Sequence, residues 1–178
     1  MGLPGAGKTT VLNGAQKKHS EYKILNYGTL MFEIAREKFK LTNRDEIRKM
    51  TAEQQKKVQA EVGKRLSKEK GKVILDTHCS VLNPDKGFYL PGLRHSILKG
   101  VKVDMIVLIT GEINELAERR KNDKTRVRAV DSKEIEEHDQ YNRMLLAAYS
   151  AMFEAPAKVI INRNGKVEEA VEELSALL

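Results

Sequence analysis

Gly2, Gly7, Lys8 and Thr9 fill the spacing G-x-x-x-x-G-K-[ST], with Pro4, Gly5 and Ala6 inside it and Thr10 directly after. The chemistry open to such a segment is narrow. Glycines let successive backbone N–H groups turn inward around a di- or triphosphate, Lys8 reaches the β and γ oxygens, and the Thr9 hydroxyl is placed for Mg²⁺. A helix starting at Lys8 would aim the positive end of its dipole at the same anion.

Three further groups of residues complement that loop. Asp76 ends the apolar run Lys72–Asp76, and at the carboxyl end of a strand a carboxylate can hold the water shell of a nucleotide-bound Mg²⁺. His78 and Cys79 follow at once, either lining the site or inert. Arg119, Arg120, Arg126 and Arg128, followed by Arg143, form a cationic constellation. Phosphoryl transfer spreads negative charge over several oxygens, and the planar, always-charged arginine fork suits that task. The segment 119–132 therefore reads as a short lid closing over phosphates. RNA could compete for these arginines, but no stacking aromatic lies between Gly111 and Tyr141, which makes nucleic acid the weaker reading. Gly28 and Thr29 lie after a short apolar run, and Arg44 and Arg48 share a helix face one turn apart; together they suggest a second nucleotide site.

The elements needed to position these residues alternate along the chain. Helices are expected from Lys8 to about His19, from Thr29 to about Lys38, in a short turn capped by Asn43, and after the capping box Thr51-Ala-Glu-Gln54. Further helices are expected from Leu93 to about Lys99, Ile113 to Lys121, Glu134 to Phe153 and Val167 to Leu177. Strands are expected at Lys23–Asn26, Lys72–Asp76, Val103–Thr110 and Lys158–Asn162, with residues 80–92 as a loop punctuated by Pro84, Gly87, Pro91 and Gly92. Such alternation implies an α/β fold: a parallel sheet with helices on both faces. A phosphate-binding loop normally follows a buried strand, and only Met1 precedes this one. The expectation is that the first core strand is missing from this chain and that the natural start lies upstream.

Composition bounds the rest. The 178 residues suit a single domain, and 32% charged against 40% hydrophobic residues is an ordinary globular balance. No apolar run approaches the roughly 20 residues that span a bilayer. Cys79 is the sole cysteine, so an intramolecular disulfide and a multi-cysteine metal site are excluded, and a reducing cytoplasm is the expected compartment. The net charge of +7 favours a polyanionic partner.

Taken in order, the segments GLPGAGKTT (2–10), NYGTLMFEIA (26–35), NRDEIRKM (43–50), VILDTH (73–78), GFYLPGL (87–93), ERRKNDKTRVR (118–128) and EEHDQYNR (136–143) run through most of the chain. In order and spacing the sequence resembles the archaeal-type adenylate kinases, within the P-loop nucleoside monophosphate kinases. The resemblance implies Mg²⁺-dependent transfer of a phosphoryl group between ATP and AMP on a five-stranded core, with a helical AMP-binding insert at about 28–66, a short lid and a homotrimeric assembly. Carried over residue by residue, Lys8 and Thr9 would hold ATP phosphates and Mg²⁺, with Asp76 supporting the metal's waters. Arg120, Arg126, Arg128 and Arg143 would surround the transferring group. Thr29 would lie near the AMP base, and Arg44 or Arg48 near its phosphate. The chain departs from familiar bacterial members at Phe32 or Glu33, where they carry an arginine, and at Thr77–Ser80, where they carry Gly-Phe-Pro-Arg. Ala129 stands where an acidic residue follows the lid arginine, leaving Asp131 as the candidate to serve instead. Another small-molecule kinase of the same fold, or a non-catalytic nucleotide- or RNA-binding protein, are the competing readings.

Overall fold

The computed structural model describes residues 1–83, 86–94, 98, 100–123 and 131–178, without the side chains of Asp45 and Arg48. These residues form two compact units. One comprises Met1–Ser20, His78–Gly92 and Val103–Leu178; the other comprises Glu21–Thr77 and Leu93–Lys102.

In the first unit, β5 (Ile106–Thr110) pairs in parallel with β6 (Ala157–Ile161), Ile106 opposite Ala157 and Thr110 opposite Ile161. Gly2 forms a parallel bridge to Ile109; the Met1 nitrogen donates to Val107 O and Ile109 N–H to Met1 O. The near-continuous burial of Ile106, Leu108, Ile109 and Thr110 is that of a strand covered on both faces. The strand begins later than expected, at Ile106, because Val103–Met105 have no ladder partner. Helix α1 (Lys8–Lys18) packs on α6 (Val167–Ser175), so closely that a Cβ on Gly14 would sit 2.5 Å from Val171 Cγ2. Leu116 from α4 (Ile113–Asn122), with Ile135, Leu146 and Tyr149 from α5 (Ser132–Phe153), completes this core.

Residues 80–92, expected as a loop, contain a β-hairpin. Strand β3 (Ser80–Asn83) runs antiparallel to β4 (Phe88–Pro91), with Val81 opposite Leu90 and Leu82 opposite Tyr89. Strands of four residues bounded by proline and glycine leave little periodicity to read. The two faces of the hairpin differ. Ser80 and Tyr89 meet α5, where the Tyr89 ring stacks on Tyr141 at 4.5 Å and lies 4.9 Å from His138. Val81, Phe88 and Leu90 on the other face are exposed. After the hairpin, Gly92 donates its N–H to Cys79 O and passes so near His78 that a Cβ would lie 2.0 Å from the His78 carbonyl oxygen. Gly92→Ala must displace backbone, and overpacking of that kind costs about 1–3 kcal/mol. A thermal melt should show the corresponding fall in Tm; an unchanged Tm would contradict the packing described.

In the second unit β1 (Tyr22–Asn26) and β2 (Lys72–Asp76) pair in parallel, register running from Tyr22↔Lys72 to Asn26↔Asp76. Helix α2 (Tyr27–Phe39) starts earlier than expected because the Asn26 side chain caps it, accepting from Thr29 N–H. The Asn43 turn is a 3-10 helix (Arg44–Lys49), and α3 (Ala52–Leu66) carries the reciprocal Thr51–Gln54 capping box. Ile34 and Ala35 of α2 and Val58, Val62 and Leu66 of α3 are buried. The helix expected from Leu93 to Lys99 is absent from the described residues there, Leu93, Arg94 and Leu98; residues 95–97 and 99 lie outside the description. No helix among the described residues is long and apolar enough to cross a membrane.

Candidate functional site

The phosphate-binding loop owes its shape to two glycines in left-handed conformations, Gly5 at φ 90° and Gly7 at φ 72°. Two side chains pin it from outside. Asn162, at the end of β6, donates from Nδ2 to Ala6 O at 2.9 Å, and Arg120 donates from Nε to Pro4 O at 2.9 Å. Both approaches need the glycines: a Cβ on Gly7 would meet Asn162 Nδ2 at 2.4 Å, and one on Gly5 would meet Arg120 Cγ at 3.2 Å. Helix α1 then starts with no side-chain cap and no acidic residue in its first turn, so the positive end of its dipole favours an anion. Lys8 is half-buried, and that desolvation lowers its pKa to about 8; Thr9 and Thr10 are exposed.

The same unit carries Arg119, Arg120 and Arg143 of the arginine constellation, and Arg120 touches the loop directly. Arg120 is 6% exposed on α4, and its charge, after the larger effect of burial, helps to depress the pKa of His138. Arg143 on α5 donates from Nε to Asp139 Oδ2 at 2.6 Å, while Asp139 Oδ1 accepts from the Thr110 hydroxyl at 2.6 Å. Arg119 is held by Asn164 Oδ1, Asn162 O and Glu115 Oε2 at 2.7, 2.8 and 3.0 Å. Arg126 and Arg128 lie outside the described residues. Asp131, the candidate replacement acid, caps α5, accepting from the N–H groups of Lys133 and Glu134. Cys79 is buried, with its thiol on Asn142 O and its pKa raised to about 11 by burial; of its two readings the inert one fits.

The second unit holds Asp76, expected on the water shell of Mg²⁺, and Gly28, Thr29 and Arg44, expected at a second ligand. Asp76 is buried at the carboxyl end of β2, and its Oδ2 accepts from Asn26 Nδ2 at 2.8 Å. Asn26 Oδ1 accepts from the N–H and hydroxyl of Thr29 and, at 3.5 Å, from Arg44 Nη2. Gly28 makes room for that arginine: a Cβ there would lie 1.9 Å from Arg44 Nη2. A cavity of about 470 Å³ opens beside them, lined by Asn26, Thr29, Leu30, Glu33, Arg65 and Leu66 among others. The Arg48 side chain lies outside the description, and His78 is an exposed residue of the first unit.

Sequence reasoning missed Asn26, Thr110, Asp139 and Asn162. Asn26 and Asn162 end or follow apolar strands as Asp76 does, and Asp139 precedes Arg143 by one helical turn; those were the available signals.

Residues 1–137 match a family model described as an AAA domain. Over 97% of its length the chain is 43% identical to the adenylate kinase of Methanopyrus kandleri, covering 92% of that protein. It is 40% identical to the adenylate kinase of Methanocaldococcus jannaschii, with 100% and 95% of the two chains covered, and 40% identical to that of Methanothermobacter thermautotrophicus, with 99% and 96% covered. The chain belongs to the adenylate kinase family. A crystal structure of shikimate kinase from Bacteroides thetaiotaomicron shares its fold, with a TM-score of 0.55 at 15% identity over 99% of this chain and 94% of that one. The α/β architecture read from alternating elements is thus that of a phosphate-loop kinase, and the chain is an enzyme of the adenylate kinase family.

Proposed function

We propose that the protein catalyses Mg²⁺-dependent, reversible transfer of the ATP γ-phosphoryl group to AMP, giving two ADP, by direct in-line displacement. The observation that carries this reading is the loop itself: left-handed glycines, a desolvated Lys8 and an uncapped helix N-terminus stand within one short segment, the combination that binds phosphate. In the proposal residues 2–10 hold the ATP phosphates, and Lys8, Arg120, Arg126, Arg128 and Arg143 stabilise the charge that develops on the transferring group. No general base is required, since the accepting phosphate of AMP is already an oxyanion.

Acceptor binding is assigned to the helical insert, 28–66, within one domain of 178 residues. Its cavity has the size of a small-ligand site and combines Leu30 and Leu66 with the polar Asn26 and Thr29 and the charged Glu33, Arg65 and Glu69, a mix of apolar and hydrogen-bonding groups that can take a nucleoside. Arg44, reaching Asn26 across Gly28, is the favoured partner of the AMP phosphate, with Arg48 as the alternative and His78 as a further lining residue. Segment 119–132 serves as the lid. The Thr9 hydroxyl and Asp76 carboxylate are hard oxygen donors, the chemistry Mg²⁺ prefers, and Asp76 would act through water. When bound, the ion neutralises charge on the phosphate oxygens. The exposed apolar face of the hairpin, Val81, Phe88 and Leu90, supports contact with further copies of the chain, and the resemblance to archaeal-type adenylate kinases points to a homotrimer. A single buried thiol suits the cytoplasm.

An acceptor panel tests the proposal. With ATP as donor and a coupled assay for ADP, AMP is expected to exceed CMP, UMP and GMP in kcat/KM by about two orders of magnitude, the discrimination that about 3 kcal/mol of differential transition-state binding supplies. Preference for another monophosphate, or for a metabolite hydroxyl, would replace the assignment with a different kinase of this fold.

A further inference from the structure

A run of hydrogen bonds links Arg143 to the phosphate-binding loop. Arg143 Nε donates to Asp139 Oδ2 at 2.6 Å, and the Thr110 hydroxyl donates to Asp139 Oδ1 at 2.6 Å. Thr110 O accepts the Asn162 N–H at 2.8 Å, and Asn162 Nδ2 donates to Ala6 O at 2.9 Å. Three elements contribute: the middle of α5, the carboxyl end of β5 and the residue after β6. All of these residues belong to the first unit.

The burial along this run is lopsided. The Asp139 side chain is 7% exposed, whereas the Arg143 side chain it holds is 43% exposed. Burying a carboxylate to pair with a half-exposed cation is a poor way to gain stability, because desolvation offsets most of the attraction. It is an effective way to fix a direction. Both carboxylate oxygens are committed, one to each partner, so the Asp139 side chain cannot rotate without losing a bond. Arg143 is gripped by Nε, and its two terminal nitrogens make no hydrogen bond among the described residues. The guanidinium thus keeps its paired terminal donors, the edge that binds phosphate oxygens bidentately.

We propose that Asp139 is a positioning residue for phosphoryl transfer: through Thr110 and Asn162 it sets the Arg143 guanidinium in register with the phosphate-binding loop. The proposal rests on the role given to Arg143 above. Its energetic logic is that misplacement of a group by about 1 Å can cost on the order of 100-fold in rate.

A double-mutant cycle on full-length protein tests it, with kcat and both KM values measured for ATP and AMP. Asp139→Asn keeps the shape of the side chain and removes the charge that holds Arg143. The variant is expected to lose about 10–100-fold in kcat with KM values within about twofold of wild type. In an Arg143→Ala background the same change should have no further effect, since a positioning residue has nothing left to position. Thr110→Val is the second variant, in case Asp139→Asn folds poorly. It leaves the Asp139–Arg143 pair and removes its anchor, so kcat should fall several-fold, again only when Arg143 is present. Equal losses with and without Arg143 would show a structural role and overturn the proposal, as would unaltered kcat in Asp139→Asn beside an impaired Arg143→Ala. Wild-type kcat in Arg143→Ala alone would instead overturn the reading of Arg143, and this proposal with it.

Discussion

Lys8→Ala is expected to abolish most turnover, lowering kcat by about 10²–10³-fold, the cost of removing one preorganised donor from a developing anion. It should leave the fold intact. The loop is shaped by Gly5 and Gly7 and pinned by Asn162 and Arg120, none of which requires the lysine chain. Burial lowers the Lys8 pKa from 10.5 to about 8, so the unfolded chain binds more protons than the folded one between those values. By linkage, this residue opposes folding below pH 8, and the opposition is relieved as pH rises through that window. Alanine removes it, and Tm at pH 7 should be unchanged or slightly higher. Ligand binding has the opposite sign. A bound polyphosphate favours the ammonium, so nucleotide affinity should be full below pH 8 and weaken as pH rises above it. That dependence should flatten in the variant. Steady-state kinetics, a thermal melt and nucleotide titrations at pH 7 and 9 check these expectations together. Wild-type turnover in Lys8→Ala would remove the loop from the chemistry.

Arg120→Ala is expected to cost a similar factor in kcat, about 10²–10³-fold, and to differ from Lys8→Ala by also destabilising the protein. The guanidinium is nearly fully buried, and its Nε satisfies Pro4 O in the turn of the loop. Deleting it leaves that carbonyl unpaired, at about 1–3 kcal/mol, and frees the loop to move. Arg120→Lys should recover little of either loss, because an ammonium cannot hold Pro4 O and present a planar fork at the same time. A melt alongside kcat and KM separates the two contributions. A variant that loses stability and keeps its kcat would make Arg120 a brace for the loop and nothing more.

The residues that announced themselves in the sequence are those whose chemistry is local. The phosphate-binding loop is nine consecutive positions, and each of its demands on backbone conformation falls on a neighbour of Lys8. The Thr51–Gln54 capping box and the apolar run ending at Asp76 are likewise contiguous patterns, and both stand where expected. What escaped is non-local or short. Asn162 reaches Ala6 from more than 150 positions away, and no spacing rule connects them. Thr110 and Asp139 meet only because α5 crosses the end of β5. The hairpin was hidden by Pro91 and Gly92, turn signals that here end a strand and permit a close crossing over His78. The capping role of Asp131 also escaped, because an acidic residue before a helix reads equally well as a cap or as part of a site.

In the proposed reaction the loop and its arginines move a phosphoryl group from one nucleotide to another. The most direct measurement is the stoichiometry of the purified protein incubated with ATP, AMP and Mg²⁺, all nucleotides and inorganic phosphate being quantified over time. Two ADP should appear for each ATP and each AMP consumed, with no release of inorganic phosphate, and ADP alone should return ATP and AMP. Consumption of ATP with release of phosphate while AMP stays constant, or no conversion at all, would contradict it.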